Sequence, residues 1–385
     1  MADREGGLLR IAVDIEPFYR NRAGVGRYVQ GILGGLTRLE EPDAYTLFRS
    51  ASYAEAESVP GLVRDRVTDV TLPLSHKGCR LRWLLLDRPR VERYIGMHDL
   101  FFAPCPPAFP TSGKLVVAVL DLVWMRYPQF FPRRANWMRR IDHRRVLRRC
   151  AGVLTISESS RRDIVEMLGF REDRVRVVYL GVEPRLREIP SDDEIAETLE
   201  RLNVRTPYVL TVAGDNGPKK NLPNLVRAMA TLPTDLKEVH LVNVGRPRYD
   251  LSGVTTLIER CGMTGRVQFL GRVEDEDLRR LYAGARLTAY PSFYEGFGFP
   301  IVESMALGTP VVTSDVSSMP EVASDAALLV DPNDPEEMAG AIASIAGDDA
   351  LHAELRRKGF ERVRRFDWQQ SARQTRDYFA ELADD

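Results

Sequence analysis

Two glutamates, Glu295 and Glu303, stand eight residues apart in PSFYEGFGFPIVESMALGTPVV, residues 291–312. Between them Gly296 and Gly298 let a backbone come close to a sugar or a phosphate, and Pro300 suits the first turn of a helix. Glu303 then falls about one turn inside that helix, too deep for a simple cap. A carboxylate so placed can accept hydrogen bonds from both hydroxyls of a ribose, as acidic residues do in other nucleotide-binding folds. Pro300 carries no N–H, so anion-binding amides come from its neighbours Phe299 and Ile301. Solvent exposure would account for two isolated glutamates. Their place around a loop of glycines and aromatics favours chemistry.

Three other stretches carry usable groups. GDNGPKKN, residues 214–221, sets Lys219 and Lys220 at a helix entrance, where an ammonium can neutralise a diphosphate leaving group. A solvated lysine pair is the plainer alternative, and no GxxxxGK[ST] pattern makes this a Walker loop. AGVGRYV, residues 23–29, puts Gly24 and Gly26 before a helix, as a phosphate-binding turn or an ordinary tight turn would. Residues 133–149 hold eight arginines and one aspartate together with Trp137, Met138 and Ile141. Such a basic amphipathic helix fits an anionic membrane or an acidic acceptor, and equally a solvated face balanced by acids elsewhere.

The elements that must position these groups alternate between strand and helix. Residues 8–15 read as a buried strand, followed by a glycine-containing turn at 22–26 and a helix at 28–39. Further strands are expected at 115–120, 152–156 and 175–180, with a helix at 157–168 capped by Ser157. The pattern restarts at Pro207, with strands at 208–213, 239–244, 267–270, 287–290 and 310–313, and a helix at 222–232 after the first. Residues 183–205 separate the halves as a linker with a peripheral helix, and 367–382 form a last amphipathic segment. The expectation is α/β: two doubly wound sheets that bind ligands at the carboxyl ends of their strands, the two edges facing across a cleft.

Composition agrees. The chain has 385 residues, 44% hydrophobic and 28% charged, enough for two cores. Lys and Arg total 54 against 55 Asp and Glu, a formal charge of −1, which gives no support for nucleic-acid binding. The four cysteines, Cys79, Cys105, Cys150 and Cys261, have no metal-ligand or disulfide spacing. None of the five histidines has one either, and the acids at 274–277 read as helix-start charge rather than a metal site. No signal-like segment opens the sequence and no run of 18 apolar residues occurs, so a cytoplasmic protein is expected.

The sequence resembles the family 4 glycosyltransferases. The resemblance rests on the Glu-x7-Glu segment EGFGFPIVE, on FLGRVEDEDLRRLYAGARLTAYPS before it and GTPVVTSDVSSMPEVASDAALLVDP after it. GVGRY, LTISESSRRDI and VYLGVE also match, so it runs along essentially the whole chain. It implies the GT-B fold, with an acceptor-side Rossmann-like domain over 1–190, completed by a C-terminal helix at 366–385, and a donor-binding domain over 191–365. It implies a retaining, metal-independent transfer of a sugar from a UDP-, GDP- or dTDP-linked donor to a small metabolite or a lipid-linked saccharide, with no cofactor.

Residue by residue, the resemblance places Glu303 on the donor ribose and Glu295 on the transferred sugar. Phe297, Gly298, Phe299 and Ile301 lie beside the donor, Lys220 sits on the diphosphate, and Gly24 and Gly26 approach donor or acceptor. Two departures matter. Where the family carries an arginine ahead of the lysine this chain has Asp215 and Asn216, so one cationic diphosphate contact is missing, and Lys219, Arg246 and Arg272 are the candidates to replace it. Where the family has His-Asp, beside the donor's C6 hydroxyl, this chain has Leu120-Asp121. A leucine there would strand a hydroxymethyl group, which predicts a pentose or 6-deoxyhexose donor. Asp121 is the residue to test as a nucleophile, although front-face attack assisted by the leaving phosphate is the expected route. The alternatives are a nucleotide-sugar-binding protein of weak activity and a nucleotide-sugar epimerase of the same fold. The basic segment 133–149 would allow peripheral contact with the inner membrane face.

Overall fold

The computed structural model describes residues 8–20, 24–73, 88–214, 217–246 and 250–384. The chain forms two compact units, Met1–Gly181 with Asp367–Asp385, and Val182–Phe366. Each is built on one parallel sheet.

The first sheet contains β1 (Arg10–Asp14), β2 (Ala44–Ser50), β3 (Val67–Leu72), β4 (Leu100–Ala103), β5 (Lys114–Ala118), β6 (Gly152–Thr155) and β7 (Val175–Val177). Their order is β3-β2-β1-β4-β5-β6-β7. Central β1 sets Ile11 opposite Tyr45 on one side and Leu100 on the other, both parallel. β4 and β6 are buried at every residue, as strands covered on both faces must be. β3 is an edge strand with exposed polar positions, which is why no apolar run announces it.

Three expectations shift here. The first strand is shorter than 8–15, because a one-turn helix, Glu16–Arg20, follows directly after Asp14 and Ile15. The next helix is Gly24–Leu36, so Gly24 and Gly26 lie inside its first turn rather than in a preceding loop. The strand expected at 115–120 ends at Ala118, because the carbonyls beyond it are taken by hydroxyls. Thr155 Oγ1 donates to Val119 O at 2.8 Å and Ser160 Oγ to Leu120 O at 2.9 Å. Ser157 caps helix Glu158–Leu168 as expected, accepting from the Ser160 N–H.

The second sheet contains β8 (Tyr208–Gly214), β9 (His240–Gly245), β10 (Val267–Gly271), β11 (Leu287–Tyr290), β12 (Val311–Ser314) and β13 (Ala327–Val330), in the order β10-β9-β8-β11-β12-β13. Its core joins Val209, Leu241, Leu287, Ala289 and Val312 of the strands to Leu225, Val226, Met229, Met338 and Ile342 of the covering helices. In both sheets the strand order reverses at one place, β1 against β4 and β8 against β11. Loops leaving the carboxyl ends there diverge to opposite faces, and a crevice opens between them.

The last helix, Trp368–Asp384, belongs to the first unit and buries Ala372, Thr375, Tyr378, Phe379 and Leu382. The Phe379 and Phe102 rings lie 5.3 Å apart. Helix Gly24–Leu36 meets this last helix through glycines. A Cβ at Gly35 would stand 2.6 Å from Ala372 Cβ and 2.7 Å from the Trp368 carbonyl oxygen. Gly35→Ala therefore overpacks a backbone contact that has no soft neighbour. It should cost about 1–3 kcal/mol, more than the helix-propensity gain, and lower the melting temperature in calorimetry. An unchanged melting temperature would contradict this packing.

Candidate functional site

The β8–β11 reversal carries a charged cluster. β8 is followed by a single turn, Pro218–Lys220, and then by Asn221 in a left-handed conformation, φ +58°. The buried Asn221 side chain donates to Pro291 O at 3.0 Å and Pro332 O at 2.6 Å, pinning the loops after β11 and β13 to the entrance of helix Leu222–Ala230. The Phe293 N–H donates to Lys219 O at 2.9 Å. These backbone ties fix both lysines against the loop after β11.

Lys219 Nζ lies 3.0 Å from Glu295 Oε2, and Lys220 Nζ 2.8 Å from Glu295 Oε1. Lys220 also donates to the Tyr290 hydroxyl at 2.5 Å and sits 4.6 Å from the centre of that ring. Glu295 is 7% exposed. Burial alone would raise its pKa, but the charges of Lys219 and Lys220 outweigh it and hold the carboxyl at about 2. Burial, then the Glu295 charge, pushes the Tyr290 phenol far up, so it stays neutral. Both oxygens of Glu295 are thus committed, and two ammoniums stand together at the strand edge.

Serines after β12 hold the loop that carries Glu295. Ser317 Oγ donates to Glu295 O at 2.7 Å, and Ser318 Oγ donates to Glu295 O at 2.9 Å and Phe297 O at 3.0 Å. Gly298 takes φ +103°, and a Cβ there would stand 3.0 Å from Ile301 Cδ1, so glycine is required. The helix it opens, Phe299–Ala306, has no side-chain cap, which leaves the positive end of its dipole to an incoming anion. Glu303 lies in this helix, 4% exposed, and accepts from the Tyr282 hydroxyl at 2.8 Å. Tyr282 is fully buried, and its own carbonyl accepts from Thr309 Oγ1, so the carboxylate of Glu303 is held in one orientation.

The structure brings together Lys219, Lys220 and Glu295, and sets Phe297, Gly298, Phe299, Ile301 and Glu303 on the adjoining loop and helix. Arg272 is exposed beyond β10, at the far edge of the sheet. Asp215 and Asn216 lie outside the described residues, as do Cys79 and His76. The other site residues belong to the first sheet. Leu120 and Asp121 follow β5, both half-buried, with Asp121 Oδ1 accepting from the Val123 N–H in a local turn. Gly24 is exposed, and among the described residues nothing lies within 4 Å of where a Cβ would stand, so their packing does not demand a glycine there.

Sequence reasoning missed Tyr282, Tyr290, Asn221, Ser317 and Ser318. Each sits in an element that reads as apolar strand, helix or loop, and no local signal marks the partner it finds.

Two family models match the chain: "Glycosyl transferases group 1" over residues 195–362 and "Glycosyltransferase Family 4" over residues 22–186. O-antigen chain mannosyltransferase B of Escherichia coli is 29% identical, over 95% of this chain and 98% of that protein. The MMP alpha-(1->4)-mannosyltransferase of Mycolicibacterium hassiacum is 32% identical, over 69% of this chain and 62% of that protein. Among solved structures, Anabaena HepE in complex with UDP and glucose superposes with a TM-score of 0.73 at 21% identity, over 96% of this chain and 98% of that one.

The pKa of Glu295 predicts an acid effect. A carboxyl lowered from 4.5 to about 2 contributes stability that is present above pH 4.5 and lost as pH falls toward 2, about 3 kcal/mol in all. Denaturant midpoints measured against pH should fall through that window in the native protein. In Glu295→Gln they should start lower at pH 7 and decline less steeply below pH 4.5.

Proposed function

The chain belongs to the family 4 glycosyltransferases and has their GT-B fold, and on that footing we propose that it transfers a sugar from a nucleoside diphosphate donor to a saccharide hydroxyl with retention of configuration. The observation that carries the reading is the buried Lys219–Glu295–Lys220 cluster at the strand reversal, beside an uncapped helix that holds Glu303. In this reading Glu303 accepts hydrogen bonds from the ribose diol, fixed for the task by Tyr282. The diphosphate meets the start of helix Phe299–Ala306 and draws Lys219 and Lys220 partly away from Glu295. Glu295, so released, takes hydroxyls of the transferred sugar.

The bond from the anomeric carbon to the diphosphate breaks as the acceptor oxygen attacks from the same face. The acceptor's proton passes to the departing phosphate oxygen. The lysines and the helix start stabilise the charge that builds there, the role a divalent cation fills in other transferases, so the proposed reaction needs no metal and no cofactor. Asp121, in its local turn, is the candidate nucleophile for the alternative double displacement.

The donor sugar has two supports that point apart. The relatives' names support a mannosyl donor and a saccharide acceptor. Leu120, an apolar side chain two residues past β5, supports a donor without a C6 hydroxyl. A thermal-shift panel of nucleoside diphosphates and nucleotide sugars separates them, since a ligand that binds only the folded state raises the melting temperature. One nucleotide should give a clear shift that Glu303→Ala abolishes. A deoxy or pentose donor outranking the mannose donor would favour the Leu120 argument, and the reverse would end it. No shift from any nucleotide would sink the donor-site assignment and favour a weakly active binding protein.

The location proposed is cytoplasmic, at the inner membrane face. Among the described residues no helix is long and apolar enough to cross a membrane. Helix Arg133–Leu147 exposes Arg133, Arg140 and Arg144 along one stripe, with Trp137 65% exposed among them. Cations around an exposed indole suit an anionic lipid surface. The protein should sediment with vesicles rich in phosphatidylglycerol and not with phosphatidylcholine vesicles, and Arg140→Glu with Arg144→Glu should abolish the difference. Equal recovery in both vesicle types would refute the contact.

A further inference from the structure

The amino edge of the second sheet carries a charged cleft that the donor chemistry does not use. It encloses about 600 Å³ and is lined by the turns that lead into three neighbouring strands: residues 204–206 before β8, Lys237 and Glu238 before β9, and residues 264–266 before β10. His240, the first residue of β9, lines it too. Hydrogen bonds tie the three turns together. The His240 N–H donates to Pro207 O at 2.9 Å and the Leu241 N–H to Arg266 O at 2.8 Å, while Arg266 Nη2 donates to Val239 O at 3.1 Å.

The lining is positive. Among the described residues the side chains of Arg205 and Lys237 make no hydrogen bond or ion pair, and Arg266 makes no ion pair. Other half-buried arginines, Arg280, Arg286 and Arg376, each face a carboxylate. Arg266 is half-buried as they are, and burial lowers its pKa, which the charge of Glu238 offsets only in part. Burial, then the charges of Arg205 and Arg266, lower the pKa of the His240 ring against the pull of Glu238, so the ring is neutral near pH 7.

The chemistry narrows the ligand. Arg205, Lys237 and Arg266 against Glu238 leave an excess of two positive charges. A phosphate monoester, with its second pKa at about 6, carries close to two negative charges at neutral pH. A cation or a neutral molecule gains nothing from that excess. The Glu238 carboxylate and the hydroxyls of Thr206 and Thr264 are left to meet O–H groups on the body of the ligand. The cleft has the volume of a small-metabolite site, much more than a bare anion fills.

We propose that this amino-edge cleft binds a soluble phosphate monoester of a sugar or other polyol, with Arg205, Lys237 and Arg266 on the phosphate and Glu238 on the hydroxyls. The proposed donor site lies at the carboxyl edge of the same sheet. Strand β8, with its seven residues, spans about 23 Å, so a ligand held here does not touch the groups at that edge. The proposal stands without the glycosyl-transfer reading.

The test is calorimetric titration of the full chain with mannose 6-phosphate, glucose 6-phosphate and glycerol 3-phosphate, with inorganic phosphate and mannose as controls. At least one monoester should bind, more tightly than either control. In Arg205→Ala with Lys237→Ala, both on exposed turns, its dissociation constant should rise about tenfold or more. In Lys220→Ala, which alters the carboxyl edge, it should not change. Bound phosphate offsets the charges of Arg205 and Arg266, so by NMR the His240 ring should titrate at higher pH with the ligand than without it. Should the double variant melt early, Lys237→Ala alone makes the comparison. No monoester bound, or binding lost in Lys220→Ala and kept in the double variant, overturns the proposal. Inorganic phosphate bound as tightly as every monoester overturns it as well, and so does binding confined to vesicles that contain phosphatidic acid.

Discussion

Both sheets are wholly parallel, and that constraint governs everything else in the molecule. Each strand must be followed by a crossover, so all strands end on one edge and the loops that leave them gather there. At one point in each sheet the successive crossovers diverge. Among the described residues a buried charge cluster stands at each of those points: Lys219, Lys220 and Glu295 at β8–β11, and Asp14, Glu16 and Arg20 at β1–β4. The backbone path leaves a crevice, and the sequence fills its walls with groups too polar for a core.

The two clusters are balanced differently. In the second unit one carboxylate faces two ammoniums, so the local excess is positive and suits a diphosphate. In the first unit two carboxyls share one guanidinium, and among the described residues one oxygen of Glu16 has no hydrogen-bond partner. Such buried charge is expensive, and here it is stabilised by rigid surroundings: Asn221 across three loops, serine hydroxyls on the Glu295 loop, and the Tyr282 hydroxyl on Glu303. The supports are mostly neutral donors, which fix geometry without altering the charge balance.

Much of the fold could be read from the chain. Apolar runs at β5, β6, β8, β9, β11 and β12 mark buried parallel strands, and Ser157 marks its helix start. Strands β2 and β3 escape because polar residues interrupt their apolar pattern, and β4 and β13 because four apolar residues are too few to tell a strand from a buried helical segment. The one-turn helix Glu16–Arg20 escapes because Pro17 reads as the end of a strand, whereas proline is equally at home in a first helical turn. Glu295, Glu303, Lys219 and Lys220 stand out by type and spacing. Their partners Tyr282 and Tyr290 do not, since a tyrosine in an apolar run looks like core until its hydroxyl finds a carboxylate or an ammonium.

The sequence by itself determined the class of fold, the family and the groups with chemical potential, because hydrophobic period and local loop chemistry are properties of neighbours in the chain. Tertiary structure alone decided which groups share a charge. Lys220 and Glu295 are 75 residues apart in sequence and 2.8 Å apart in space. It also decided that, among the described residues, Glu16 keeps a buried oxygen without a hydrogen-bond partner while Glu295 has both committed. Burial and partnership are set by which strands lie side by side, and the order β8-β11 or β1-β4 is not written in any local stretch of residues.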